Sequence, residues 1–212
     1  MKTKLSKKRA LSTVLTTVII LVSSVVLGSG VVLYGTSLFQ SGTQQESITV
    51  TGVKIWVHGT AEDGLAWGAA KIRNTGDKIV SVDKITIRGN DIPFSQWYAD
   101  VTVNATTFQL PLNHTGWDGT DGLLNTDTTC DDTGNILQIG LNSEKTDDSS
   151  ICADAATGPI GLIPGASTVI YFQLTNGTLT SLDSGVQTTV NIYAGKAGAP
   201  QSITVRGVTN TG

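Results

Sequence analysis

The sequence predicts an α+β protein in which one long hydrophobic N-terminal helix precedes an all-β antiparallel sandwich. No charged side chain occurs between Arg9 and Glu46, and Leu11 to Leu27 is an almost unbroken run of Leu, Val, Ile, Ser and Thr. After Gln40 this pattern is replaced by short runs of alternating polar and apolar residues between turn signals. Charged residues make up only 15% of the 212 residues, and 24 are Gly, a mixture that favours strands and turns.

Charge is distributed unevenly along the chain. Five of the fourteen basic residues lie before residue 10, and all seventeen acidic residues lie at Glu46 or later. Without the basic head, nine basic and seventeen acidic residues remain, a formal net charge of −8 (9 − 17). Because an acidic surface repels nucleic acid, no nucleic-acid partner is expected.

The segment from Leu11 to Phe39 is long enough to cross a membrane as a helix. At about 1.5 Å per residue it would extend roughly 43 Å, whereas a hydrocarbon core is about 30 Å thick. The basic flank is expected to stay cytoplasmic, which places the chain after Phe39 outside the cell. Two ordinary interpretations remain open: a secretory signal peptide, whose apolar core is usually shorter, and a permanent single-span anchor.

A third interpretation comes from the boundary Lys7-Lys8-Arg9-Ala10-Leu11-Ser12, where basic residues meet a small residue and then the uncharged helix. This boundary resembles the processing site of archaeal type IV pilin-like proteins, including archaellins. The resemblance implies that a prepilin-type peptidase cuts between Ala10 and Leu11. The processing site would then consist of Lys8, Arg9, Ala10 and Leu11.

By the same resemblance, residues 1–10 form a cleaved leader, and residues 11–40 form a membrane span before assembly and the filament core afterwards. Bacterial relatives carry a Glu at the fifth mature position, which is Leu15 here, but archaeal members commonly lack it. The implied partners are other copies in a homo- or hetero-polymeric filament, the peptidase and the membrane assembly machinery. Small residues let helices approach closely, so the predicted helix-packing positions are Ser24, Gly28 and Gly30.

Residues 41–212 are predicted to form the extracellular β domain. Ile48–Val50 and Val53–Val57 both alternate with period two, and the change of phase at Thr51-Gly52 indicates a bulge. Turn signals such as Asn74-Thr75-Gly76-Asp77 separate the later runs. Eight or nine short strands at this spacing predict an immunoglobulin-like antiparallel sandwich. The later runs are 65–73, 78–88, 98–103, 106–110, 136–141, 168–174, 186–193 and 202–208.

Patches of the β domain are similar to the outer domains of archaeal pilins and archaellins. The unit Lys71–Asp77 followed by Ile85–Ile87 resembles their strand, Asn-x-Gly turn and strand. The stretch Ile163–Phe172 and the tail Gly198–Val205 resemble late strands of archaellins. The tail inclines the prediction toward an archaellin, although no residue separates a motility subunit from an adhesive one.

The middle of the β domain, about residues 91–159, is rich in Asp, Gly, Asn and Thr and is predicted to be an acidic, loop-rich insertion on the outer surface. It holds the only two cysteines, Cys130 and Cys152, which are expected to form a disulfide outside the cell. A zinc site is the rival interpretation. It has little support because His58 and His114 have no neighbouring Cys or His in the sequence.

Oxygen-rich acidic loops can hold calcium, and the first ligands to test would be Asp118, Asp121 and Asp127. A solvated acidic loop is the plainer interpretation, and no other cofactor is expected. The sequence contains no nucleophile elbow, phosphate loop or dinucleotide fingerprint, so an enzyme is not expected. Three Asn-x-Ser/Thr sequons mark glycan acceptors at Asn104, Asn113 and Asn176.

Together these observations predict a structural subunit of an extracellular archaeal filament, made from a precursor in the cell membrane with its N-terminus in the cytoplasm. The function expected is that of an archaellin in motility. The alternatives are an adhesive type IV pilin and a monomeric, membrane-anchored surface protein that binds a ligand or neighbouring envelope proteins.

Overall fold

A computed structural model describes residues 4–42, 45–60, 65–114, 116–118, 123–124, 136–140 and 150–209. The chain divides into two compact units, Met1–Gln45 and Glu46–Gly212, which we call the helical unit and the β domain. An apolar N-terminal helix followed by a mostly β domain confirms the predicted α+β class.

The helical unit is one unbroken helix, α1, from Lys4 to Gly42. Its apolar part, Ser12–Phe39, has a mean hydropathy of 2.3 and is long and apolar enough to cross a membrane, the one helix of this kind among the described residues. The helix therefore includes most of the predicted leader as well as the predicted span. Leader and span are continuous in backbone conformation, with no turn between them.

The β domain contains fourteen strands among its described residues, and one short helix, α2, at Ala105–Gln109. Single turns of 3₁₀-helix occur at Phe94–Gln96 and Ser181–Asp183. The strands are β1 Ile48–His58, β2 Ala66–Asn74, β3 Val80–Ile87, β4 Asn90–Asp91, β5 Trp97–Asp100, β6 Trp117–Asp118, β7 Leu123–Leu124, β8 Ile136–Gly140, β9 Ser150–Ala155, β10 Ile160–Leu162, β11 Ser167–Gln173, β12 Gln187–Ala194, β13 Ala197–Thr204 and β14 Arg206–Val208.

Two main sheets carry these strands. The first has seven strands in the order β14-β1-β2-β11-β5-β9-β8, and the second has the order β10-β3-β12-β13 with β4 paired to β3. All these pairs are antiparallel except β1 with β14, which is parallel. The short strands β6 and β7 pair only with each other.

The two sheets share one hydrophobic core because each presents an apolar face to it. Strand β3 shows the alternation well, since Val80 and Val82 are buried while Ser81 and Asp83 are exposed. The same core contains residues of both sheets, among them Ile55, Ile72, Ile170, Phe172, Ile85, Val190 and Ile192. The alternating runs seen in the sequence are therefore core-facing strands, as predicted.

The seven-stranded sheet is buried on its opposite face as well. A second core contains Trp56, Trp67, Tyr171 and Trp117, with Leu137 and Ile139 from the edge strand β8 and Ile151 from its neighbour β9. Strand β2 is consequently buried at every position except Arg73. Gly68 of β2 lies against the ring of Phe172 on the neighbouring strand β11, and a β-carbon at this position would overlap that ring.

The predicted bulge is confirmed, since the register between β1 and β2 shifts between Thr51 and Lys54. Gly52 has φ +62°, a left-handed conformation that favours glycine. The predicted turn after β2 is built on Asn74, whose side chain is buried. It donates to the carbonyl oxygens of Lys78 at 2.7 Å and Leu162 at 2.9 Å and accepts from the Gly76 N–H at 2.9 Å.

Some predicted elements are wrong in type or extent. Residues 106–110 were expected to be a strand, but they belong to α2, which begins because the Asn104 side chain accepts from the Thr107 N–H at 2.7 Å. The last strand was expected at 202–208. It starts earlier, as β13, and is divided at Val205, which is buried and separates β13 from β14. Strands β9 and β10 were not predicted.

The middle segment, 91–159, also differs from the expectation of a surface loop free of packing. Its described part contributes β5, β8 and β9 to the seven-stranded sheet, and both Trp97 and Trp117 are fully buried. The reason is that the sheet's second face needs a cover, which the few apolar residues of this segment supply. The Asp-rich stretches at 119–122, 125–135 and 141–149 lie outside the described residues.

Candidate functional site

The helix α1 is the first candidate site because its surface is apolar on every side. From Val14 to Phe39 the large apolar side chains are 53–78% exposed within the helical unit. The hydroxyl groups along it bond to carbonyl oxygens of the same helix, for example Thr16 to Ser12 at 2.8 Å and Ser24 to Leu21 at 2.8 Å. Ser29 and Thr36 bond in the same way. Such a helix leaves little polarity exposed and suits burial in lipid or among other helices.

The three predicted packing positions do not share one face of α1. Ser24 and Gly28 are four residues apart and lie one above the other, whereas Gly30 is turned roughly 200° from Gly28, at about 100° per residue. A β-carbon added at Gly28 or Gly30 would meet no atom within 4 Å in this chain. These glycines therefore leave space on the helix surface, and Ser24 with Gly28 forms one small-residue pair of the kind that permits close helix contact.

The predicted processing site lies within the first turns of α1. The backbone of Lys8, Arg9, Ala10 and Leu11 is helical and continuous with the apolar segment. A cut between Ala10 and Leu11 would leave a helix that runs from its new first residue to Gly42, without a polar spacer. The cut itself stays a prediction.

Cys152 lies on β9 and is disulfide-bonded, and its N–H donates to the carboxylate of the buried Asp100 at 3.3 Å. The one other cysteine of the sequence, Cys130, lies outside the described residues. Because β9 is held between β5 and β8, the Cys152 end of the disulfide is fixed in the seven-stranded sheet.

All three predicted glycan acceptors are exposed. Asn104 uses its side-chain oxygen to cap α2, which leaves its amide nitrogen as the atom that a glycan would take. Asn113 accepts a hydrogen bond from the Tyr171 hydroxyl through its backbone oxygen, at 3.0 Å, so this contact does not occupy its side chain. Asn176 precedes Gly177, which has φ +83°, in an exposed turn.

The calcium prediction stays a prediction. Asp121 and Asp127 lie outside the described residues, and only the backbone of Asp118 is described, in β6. Within the described part of the chain, no group of three or more His, Cys, Asp or Glu residues is placed to hold a metal ion.

Sequence reasoning missed a cluster in which the two histidines meet. The ring of Trp117 is 5.2 Å from that of His58 and 4.6 Å from that of His114, measured between centroids. His114 is also 5.5 Å from Trp56, which stacks on Tyr171 at 6.2 Å. We call these five residues the histidine–tryptophan cluster. They come together only where His114 and Trp117 pack against β1 in the folded domain, and the sequence signal was limited to a Trp close to each His.

The cluster fastens the 113–118 segment to the sheet. The indole N–H of Trp117 donates to the Val208 carbonyl at 2.9 Å, and the Gly116 N–H donates to Nδ1 of His114 at 3.1 Å. Nε2 of His114 is buried and has no hydrogen-bond partner among the described residues. Burial, and then the nearby His58, lower the pKa of His114 to about 4. The ring is therefore neutral in its folded environment above that pH.

Two lysines of the sheet hold the adjoining segment in place. The amine of Lys71 donates to the carbonyl oxygens of Phe108, at 2.6 Å, and Leu110, and it lies 5.6 Å from the Phe108 ring. The amine of Lys54 donates to the Leu112 carbonyl. Burial lowers the pKa of both lysines, and the neighbouring Arg206 lowers that of Lys54 further, as Lys54 does for Lys71. These lysines bind backbone, so we assign them a structural role.

Two adjoining grooves lie beside α2, with volumes of about 540 and 550 Å³. They share Arg73, Phe108 and Gly165. The first is otherwise lined by Thr49, Thr51, Asn74, Thr75 and Gly76, and the second includes Asn104 and Gln109. Hydroxyl groups, one guanidinium and one aromatic ring can bind a polar chain or a glycan by hydrogen bonding and stacking.

No protein-family model matches this chain, and no curated protein matches it either.

We predict that the β domain loses stability between about pH 6.5 and pH 4 because of His114. The unfolded chain takes up a proton near the ordinary histidine pKa of about 6.5, whereas the folded chain does so only near pH 4, so lowering the pH favours unfolding. The loss has an upper bound of roughly 3.5 kcal/mol, since the two pKa values differ by about 2.5 units at about 1.4 kcal/mol per unit. Urea unfolding of the full chain in detergent, followed by tryptophan fluorescence at pH 7 and pH 4.5, measures it.

The matched variant is His114→Phe, which keeps an aromatic ring and cannot take up the proton. Its free energy of unfolding should be lower than wild type at pH 7, because the Gly116 N–H loses its acceptor, but it should change much less with pH. An equal acid-induced loss in wild type and variant would show that other groups are responsible.

We predict that Lys71→Met destabilises the β domain by about 1–3 kcal/mol, since two partly buried carbonyl oxygens lose their donor while the side-chain length is nearly kept. The control is Lys84→Met, which removes an exposed lysine. Lys84 forms an ion pair with Asp91 in which the two side chains are 49% and 63% exposed, so its loss should cost less than about 1 kcal/mol. Urea unfolding at pH 7 compares the two. Equal effects would contradict the assigned role of Lys71.

Proposed function

We propose that this chain is a structural subunit of an extracellular archaeal type IV pilin-like filament. The observation that carries the proposal is the unbroken helix α1, which is apolar on all sides from Ser12 to Phe39 and contains the Lys8-Arg9-Ala10 boundary just before this apolar part. In this proposal the precursor spans the membrane, the peptidase removes residues 1–10, and α1 then packs among copies of itself.

The physical reason is that the same helix surface suits both environments. Burying a large aliphatic side chain is favourable by about 1.5–3 kcal/mol relative to water, and α1 carries such side chains around its whole circumference. The helix α1 can leave the lipid only if contacts with other helices replace its lipid contacts. Such contacts require helices to pack closely. The pair Ser24 and Gly28 supplies one surface for such packing.

The β domain is proposed to form the outer shell of the filament as an immunoglobulin-like antiparallel sandwich. Two sheets that share one core support this arrangement. The exposed asparagines support glycosylation of the shell, and the disulfide-bonded Cys152 is in keeping with an oxidising location outside the cell. The proposed localisation is therefore an extracellular filament, with a precursor in the cell membrane whose N-terminus is cytoplasmic.

Within this family we favour an archaellin for motility over an adhesive pilin, on the resemblance of the tail Gly198–Val205. A swimming assay of cells lacking the gene separates the two: loss of swimming supports an archaellin, and retained swimming with lost attachment supports a pilin.

A membrane-anchored monomer is the second candidate, and the observation in its favour is that Ser12–Phe39 alone is long enough to span a bilayer. Electron microscopy of sheared surface material from cells with and without the gene decides between them. Filaments that depend on the gene support polymerisation, whereas a surface protein that stays in the membrane fraction supports the anchor.

We predict that the double variant Lys8→Ser and Arg9→Ser is not processed and does not form filaments. The variant retains the helix, so it should accumulate in the membrane with residues 1–10 still attached. Immunoblotting of membrane and sheared fractions, with mass spectrometry of the N-terminus, measures the outcome.

The matched control is Lys2→Ser with Lys4→Ser, which removes the same charge from the head but leaves the boundary intact. This control should be processed normally, because membrane orientation needs basic charge rather than particular positions. If both double variants are processed alike, the boundary is not a peptidase site.

A further inference from the structure

One end of the β domain is defined by where the chain enters it. Ser47 accepts hydrogen bonds from the N–H groups of Thr75 and Gly76, at 3.0 and 3.1 Å, and Glu46 accepts from the Lys196 N–H at 3.0 Å. We call this the proximal end. It consists of Glu46–Ser47, residues 73–79 at the end of β2 and in the turn that follows, the turns at 163–166 and 195–196, and the segment 101–105 that follows β5.

The proximal end exposes three branched apolar side chains. Ile79 is 68% exposed, Ile163 is 63% exposed and Val101 is 56% exposed. The last paired residues of β3 and β10 are Val80 and Leu162, so extending the antiparallel register by one position places Ile79 opposite Ile163. The Asn74 side chain donates to the carbonyl oxygens of Lys78 and Leu162, the residues that precede Ile79 and Ile163. These hydrogen bonds hold the backbone that carries the pair.

Basic residues accompany these apolar side chains. Arg73, Lys78 and Lys196 are exposed at the proximal end, and none of them forms an ion pair within the described part of the chain. Two carboxylates, Glu46 and Asp77, lie at the same end, which gives it a formal charge of +1 (3 − 2). The chain after residue 45 has a formal net charge of −8, so its residues outside the proximal end carry −9 (−8 − 1). The proximal end is therefore a weakly basic part of an acidic domain.

We propose that the proximal end is a bilayer-binding surface, on which Ile79, Ile163 and Val101 insert between lipid head groups while Arg73, Lys78 and Lys196 contact anionic phosphates. The inference rests on the proposed membrane-inserted precursor, because in the sequence only three residues separate Gly42, the last residue of α1, from Glu46. Exposed apolar side chains ringed by Lys and Arg are the combination that binds anionic membrane surfaces.

The choice of lipid over a second copy of the chain follows from charge. The helix of another copy is uncharged from Leu11 to Gln45 and offers no partner to three cations. The β domain of another copy offers carboxylates, but away from the proximal end its described residues expose only three large apolar side chains, Leu182, Val186 and Tyr193. An anionic head-group layer partners both the cations and the apolar side chains. Contact with the membrane would hold the precursor's β domain against the surface until assembly withdraws the helix.

Lipid contact can be measured by fluorescence because all four native tryptophans are buried, with exposures of 0–3%. In the full-length precursor, Ile163→Trp adds a fifth tryptophan at the proximal end. The matched control is Leu182→Trp, at an apolar residue that is 89% exposed at the other end of the domain. Leu182 precedes Asp183, whose carboxylate binds Arg88, the residue after the last one of β3. Strand β3 begins at the proximal end with Val80, so at about 3.3 Å per residue Arg88 lies roughly 25 Å from that end.

Each variant is reconstituted into vesicles of phosphatidylcholine with phosphatidylglycerol, in which some phosphatidylcholine is brominated near the head-group end of its acyl chains. Bromine quenches tryptophan only on contact. We expect the emission of Ile163→Trp to be quenched several-fold more strongly than that of Leu182→Trp. Adding Arg73→Gln, Lys78→Gln and Lys196→Gln, or raising the salt concentration, should reduce the difference.

Equal quenching of the two variants, or none in either, would overturn the proposal. A second result would also overturn it: the emission of the Ile163→Trp variant shifts to the blue as protein concentration rises, while brominated lipid has no effect on it. This result would show that a second copy covers the surface. If quenching is absent while cells still make gene-dependent filaments, the bilayer inference fails and the proposed function stands. Quenching in a chain that never forms filaments would support the membrane surface and contradict the filament.

Discussion

Burial of an uncharged helix is the constraint on which the rest of this protein depends. The segment Ser12–Phe39 presents apolar side chains on every side, and its serine and threonine hydroxyls bond to carbonyl oxygens of the same helix. A helix of this kind has no hydrophilic face to turn toward water, so it has to be covered by lipid or by other protein. In the proposed filament the helix passes from lipid to contact with other subunits, and the β domain is the part that remains in water.

The β domain meets a different constraint, because its larger sheet is apolar on both faces. The smaller sheet covers one face, and a segment of irregular chain covers the other. Irregular chain has few backbone partners of its own, so side chains of the sheet supply them. Lys54 and Lys71 donate to its carbonyl oxygens, Tyr171 donates to Asn113, and the Trp117 indole donates back to Val208. These polar side chains therefore hold the fold together.

The sequence predicted those parts of the structure that depend on local pattern. The long apolar helix, the bulge near Gly52, the Asn74 turn and most long strands follow from periodicity and turn chemistry. The short helix α2 was missed because Thr106 and Thr107 favour strands, while the deciding contact, the cap from Asn104, depends on one side chain. The meeting of His58 and His114 around Trp117 was not predictable, because it arises from side-chain packing between segments that are distant in the sequence.

The most direct test of the account is the mass of the chain recovered from sheared surface material. The account predicts a chain that begins at Leu11, keeps the whole apolar helix and sediments as a polymer. A soluble, monomeric chain that begins beyond the apolar segment would contradict it, because the helix would then be a discarded signal and no filament could be built from it.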